Sequence, residues 1–66
     1  MRDSNADILG RLAAETWVNH AEMTLNVVLL DTKTDERYYF VFGSDTPSIR
    51  AVMFARASLA YQWRPQ

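Results

Sequence analysis

Arg37-Tyr38-Tyr39-Phe40-Val41-Phe42 places large apolar side chains on both sides of one short run. Successive side chains of a β-strand point to opposite faces. Tyr38, Phe40 and Phe42 therefore line one face of this strand, and Tyr39 and Val41 line the other. A chain of 66 residues can cover one of those faces well from within itself. The second face is expected to be finished by another copy of the chain or by a partner.

The elements around this strand follow from the same kind of reading. Upstream, Thr24-Leu25-Asn26-Val27-Val28-Leu29-Leu30 also has period two, with Leu25, Val27 and Leu29 on one face. Its other face, Thr24, Asn26, Val28 and Leu30, is polar at the start and apolar at the end. The run from Asp31 to Glu36 between the two strands is polar and turn-like, which predicts an antiparallel hairpin. Downstream, Gly43-Ser44-Asp45 ends the second strand. Thr46-Pro47 then predicts a helix start, with Thr46 as N-cap and Pro47 at the first helical position. That helix is expected from Pro47 to about Trp63, with Pro65 as its stop. At the other end of the chain, Ser4-Asn5-Ala6-Asp7 reads as an N-cap with an acid in the first turn. Ile8, Leu9, Leu12, Ala13, Thr16 and His20 then recur at helical spacing, opposite Arg11, Glu15, Asn19 and Glu22. This spacing predicts a first helix from about Ser4 to about Ala21, with Trp17 at the border of its apolar side.

The expected architecture is one small α+β domain over residues 1–66, in the order α-β-β-α. Two helices pack on an antiparallel hairpin, and dimerisation completes the fold. Its expected core is Leu12, Trp17, Leu25, Val27, Leu29, Phe40, Phe42, Ile49, Val52, Met53 and Leu59. A domain this size buries only ~60% of the surface that its unfolded chain exposes. Small scaffolds therefore rely on disulfides, metals or association. The chain has no cysteine and a single histidine, which removes disulfides and thiolate metal sites and leaves little for a zinc site. Association is the remaining device.

Composition narrows the function classes. The chain is 48% hydrophobic and 23% charged, the balance of a globular domain. No stretch approaches a membrane span, and the polar start Met1-Arg2-Asp3-Ser4-Asn5 lacks a signal-peptide apolar core; a cytoplasmic protein is expected. Residues 1–36 carry three basic and seven acidic side chains, whereas residues 37–66 carry four arginines against Asp45 alone. The arginines can serve pairing between the two halves or contacts with another molecule.

No nucleophile, base and orienting group stand in a recognisable spacing. His20 reads as a structural histidine on the apolar side of the first helix, and Asp3/Asp7 and Asp35/Glu36 read as helix-start and turn residues. The two glycines, Gly10 and Gly43, are too far apart for a phosphate loop. No enzyme activity, cofactor or metal is expected. Nucleic-acid binding is the rival reading, because Arg50, Arg56 and Arg64 stand near Tyr61 and Trp63. Against it, the chain has one lysine and a pI near 5.6, and those side chains do not share one helix face.

The second helix reads as two-sided. Ile49, Val52, Met53, Leu59, Ala60 and Trp63 form a core-facing stripe with Arg56 near its middle. Arg56 can reach water along its stem, pair with Glu15 or Glu22, or face an interface. Phe54 and Tyr61, two turns apart and flanked by Arg50, form a second stripe. Aromatic and arginine side chains are enriched in binding hot spots. The expected protein-binding and dimer residues are accordingly Tyr39, Val41, Arg50, Phe54, Arg56 and Tyr61. Hairpin-edge pairing, sheet-face packing and helix packing all remain open as the dimer seam.

In length, lack of cysteine, element order and surplus interface, the chain resembles the small bacteriophage-encoded inhibitors of host proteins, among them anti-CRISPR proteins and anti-activators of quorum sensing. The resemblance covers the whole chain in style and rests on no motif, so no residue roles come with it. It implies a homodimer in the host cytoplasm that covers a functional surface of a bacterial regulator, nuclease complex or motor by stoichiometric binding.

Overall fold

A computed structural model describes residues 4–63. The element order is α1 (Asn5–Gly10), β1 (Leu12–Asn19), β2 (Thr24–Asp31), β3 (Arg37–Gly43) and α2 (Ser48–Gln62). The strands form one antiparallel sheet in the order β1-β2-β3, so β2 is the central strand. The α+β class and the β2–β3 hairpin between two helices are as expected.

The first helix is much shorter than its spacing suggested. It stops at Gly10, and the segment read as its continuation is the edge strand β1, paired with β2 from Leu12↔Asp31 to Asn19↔Thr24. Two physical facts favour this outcome. Gly10 weakens a helix interior, and Thr16-Trp17-Val18 is a run of strand-forming residues. More decisively, β2 has two hydrogen-bonding edges, and β3 occupies only one of them. Pairing with β1 satisfies the other. The apolar residues of 12–19 fit period two as well as they fit helical spacing, and the available edge decides between them.

What remains of the first helix is well capped. The Asp7 amide donates to the Ser4 hydroxyl at 3.1 Å, and the Ser4 amide donates back to the Asp7 carboxylate at 3.3 Å, a capping box. Six residues are too few for a stable isolated helix, and α1 is tied to α2 and the residue that follows it by two side-chain hydrogen bonds. The Asn5 amide group donates to the Trp63 carbonyl at 2.7 Å. The Arg56 guanidinium donates to the Leu9 carbonyl at 2.7 Å, in the last turn of α1.

The core lies between one sheet face and α2. Leu25, Val27 and Leu29 of β2 meet Ala51, Ala55 and Leu59 of α2, all buried, with Leu9, Leu12, Tyr38, Phe40, Phe42, Val52 and Trp63 packed around them. Three expected core residues lie outside it: Trp17, Ile49 and Met53 are exposed. Apolar side chains run almost all the way around α2, so spacing alone does not select its buried side. The selected side presents Ala51 and Ala55, whose small side chains let the helix approach the leucines and valine of β2 closely. The helix begins at Ser48, one residue later than expected, and Pro47 occupies the cap position without a side-chain cap bond. The expected stop at Pro65 lies outside the described residues.

Candidate functional site

Covering one face of the sheet leaves the other open. On that face the cross-strand rows are Ala13-Leu30-Arg37, Glu15-Val28-Tyr39, Trp17-Asn26-Val41 and Asn19-Thr24-Gly43. Val28, at the centre, is buried. Around it, Trp17, Tyr39 and Val41 are 47%, 65% and 63% exposed. Glu15 on one edge strand and Arg37 on the other are both exposed. The result is an apolar patch with one acid at one margin and one base at the opposite margin.

A second apolar surface lies on the outside of α2. Ile49, Met53, Phe54 and Tyr61 are exposed there, together with Arg50. Ile49 and Met53 are one turn apart, and Phe54 and Tyr61 are two turns apart. From Ser48 to Gln62 the helix contains no acidic residue, so this surface is apolar and cationic.

The six residues expected at an interface therefore divide between two places. Tyr39 and Val41 belong to the open sheet face. Arg50, Phe54 and Tyr61 belong to the outside of a helix packed on the opposite face. Arg56 is half-buried and holds the Leu9 carbonyl, a bond made to the backbone rather than to Glu15 or Glu22. Trp17, Ile49 and Met53 join these surfaces as residues not expected there, as do Glu15 and Arg37 at the charged margins. The signal for Trp17 and Glu15 was present in the period-two alternation of residues 12–19.

Electrostatics concentrate at the far end of β2. Asp31, 2% exposed, takes a bidentate pair from Arg11: Nε to Oδ1 at 2.7 Å and Nη2 to Oδ2 at 2.9 Å. Its Oδ1 also accepts from the Lys33 and Thr34 amides at 2.9 and 3.3 Å. The Arg11 hydrogen bonds hold this carboxyl well below the ordinary carboxylate range; burial opposes them, and the two amides add to them. This arrangement fastens the α1–β1 junction to the β2–β3 turn, and its geometry accounts for it as structure. Nearby, the Tyr38 hydroxyl donates to Glu36 at 3.1 Å, and its ring meets Trp63 edge to face, with centroids 5.6 Å apart. Burial, and then Glu36, raise the Tyr38 pKa.

His20 stands exposed in the β1–β2 turn, not on the apolar side of a helix. Among the described residues no group of three or more His, Cys, Asp or Glu side chains is placed to hold a metal ion, and no helix is long and apolar enough to cross a membrane. Met23, in the same turn, adopts φ 57°, a left-handed conformation that costs a non-glycine residue roughly 1–2 kcal/mol. No family model, curated protein or solved structure matches the chain.

Proposed function

We propose that this protein is a non-enzymatic binding module that docks the outside of α2 into a groove of a partner protein and thereby covers that partner's working surface. The observation that carries this reading is the composition of that surface: Ile49, Met53, Phe54 and Tyr61 exposed over most of the length of the helix, with Arg50 and no acid among them. An amphipathic helix laid in a groove is read through anchors spaced in this way. Aromatic anchors lose little entropy on binding, and arginine adds directed contacts. The complementary partner has an apolar groove with an acidic rim. The resemblance to phage-encoded inhibitors of bacterial host proteins supports occlusion, in the cytoplasm, as the mode of action.

The test starts from a protein captured on the immobilised chain and then rebuilds the complex from the two purified components. Phe54→Ala and Tyr61→Ala are each expected to weaken binding by at least ~2 kcal/mol, the loss typical of a hot-spot residue. Both should retain the wild-type circular dichroism spectrum. Affinity untouched by either substitution would overturn the reading. So would capture of no protein, combined with DNA or RNA binding that falls steeply with salt.

A further inference from the structure

We infer that the open sheet face pairs with a second copy of this chain, related by a two-fold axis running along β2. This rests on the same excess of apolar surface as the proposed function but uses the opposite side of the molecule. Loss of partner binding by α2 variants therefore leaves this inference standing, and loss of dimerisation leaves the other.

A two-fold axis that brings a sheet face against itself must lie in the plane between the two sheets, and the contact is then self-complementary. An axis along β2 keeps each cross-strand row at its own level and exchanges the edges, so β1 of one copy covers β3 of the other. Trp17 then meets the second copy's Val41, at both margins at once. Val28 meets Val28 on the axis. Glu15 lies over the row containing Tyr39, one row from the second copy's Arg37, within reach of an arginine side chain. The same ion pair forms at the opposite margin.

An axis across the strands gives the reverse. β1 then covers β1, and with the axis at the level of Val28 Glu15 faces the second copy's Glu15, while Arg37 faces its Val41 and has no acid opposite. Like charges facing across an interface are unfavourable. The placement of one acid and one base on opposite edge strands, at neighbouring rows, therefore selects the axis along β2. Among the described residues neither the Glu15 nor the Arg37 side chain has a hydrogen-bond or ion-pair partner within the protomer, so both are available. Aligned packing of two sheets about 10 Å apart, with strands within ~30° of parallel, accommodates this arrangement. Three strands of this length cover roughly 14 by 25 Å, about 700 Å² over the two copies, below the ~1,000 Å² of a stable specific interface and in the range of a weak, transient one. A dimer in rapid exchange with monomer is expected.

Sedimentation velocity over a concentration series tests the inference. The wild type is expected to pass from monomer to dimer by high micromolar concentration. Val41→Lys should stay monomeric with an unchanged circular dichroism spectrum. Glu15→Arg and Arg37→Glu should each dimerise several-fold more weakly than wild type. Mixed in equal amounts, they should form a heterodimer more readily than either forms a homodimer, because both cross-copy pairs are restored. A wild type that stays monomeric would overturn the inference. A dimer untouched by Val41→Lys would also overturn it and would point to pairing through a strand edge. Absence of any gain on mixing would overturn the assigned axis.

Discussion

The two faces of the central strand experience opposite environments. On one, Leu25, Val27 and Leu29 are sealed beneath α2. On the other, Val28 is buried, yet Trp17, Tyr39 and Val41 around it remain open. The residue types on the two sides are similar; what differs is whether the chain has an element left to cover them. Apolar patterning reports that a face seeks cover, and chain length decides which face obtains it. The same logic applies to α2, whose apolar circumference exceeds the one side that the sheet can accept.

Substitutions on the two faces should sharpen this contrast. Leu29 is fully buried, and Leu29→Ala should destabilise the protomer by about 2–5 kcal/mol, measured by urea unfolding. Tyr39→Ala on the open face, measured on dilute protein, should stay within about 0.5 kcal/mol of wild type. Equal effects at the two positions would erase the distinction.

A second test addresses the close approach of α2. Ala55 is fully buried against the sheet, and Ala55→Leu should cost about 1–3 kcal/mol by overpacking. Ala57→Leu, on the exposed side of the same helix, should cost almost nothing. This pair checks which side of α2 is buried, independently of any partner.

The smallest expected change concerns the β1–β2 turn. Met23 is 69% exposed and adopts a positive φ, so Met23→Gly removes backbone strain and little packing. It should stabilise the protomer by up to about 1 kcal/mol. A loss of stability would mean that the Met23 side chain has a role in the fold.

The Arg11–Asp31 pair adds a pH signature to the covered side. The Asp31 pKa is lowered in the folded protein relative to an ordinary carboxyl near 3.9. Its contribution to stability is therefore fully present above about pH 4 and fades as pH falls from there toward the depressed folded value. Acid titration of unfolding should show this loss in the wild type and a shallower one in Asp31→Asn. Identical acid profiles would remove Asp31 from the account.

Much of the fold was legible because its residues admit a single reading. Residues 24–30 and 37–42 alternate cleanly, and Thr46-Pro47 marks a helix start to within one residue. Residues 12–19 admit two readings, and a long-range fact, the vacant edge of β2, decides between them. Local spacing carries no trace of that edge. The buried side of α2 was hidden for a related reason: alanine gives a weak burial signal in sequence, yet Ala51 and Ala55 are what the sheet accepts. At the candidate site, Tyr39, Val41, Phe54 and Tyr61 were recognisable as more apolar surface than one protomer can cover. Their division between opposite sides of the molecule depends on the third strand and was not recognisable.

The most direct test of the contrast between the two faces is the emission of Trp17 itself. In a Trp63→Phe background Trp17 is the sole tryptophan, and its spectrum can be followed from nanomolar to high micromolar concentration. If the open face is covered by a second copy, the emission should shift to shorter wavelength as concentration rises, and Val41→Lys should abolish the shift. Emission that stays at the long wavelength of a water-exposed indole at every concentration, with and without Val41→Lys, would contradict the account.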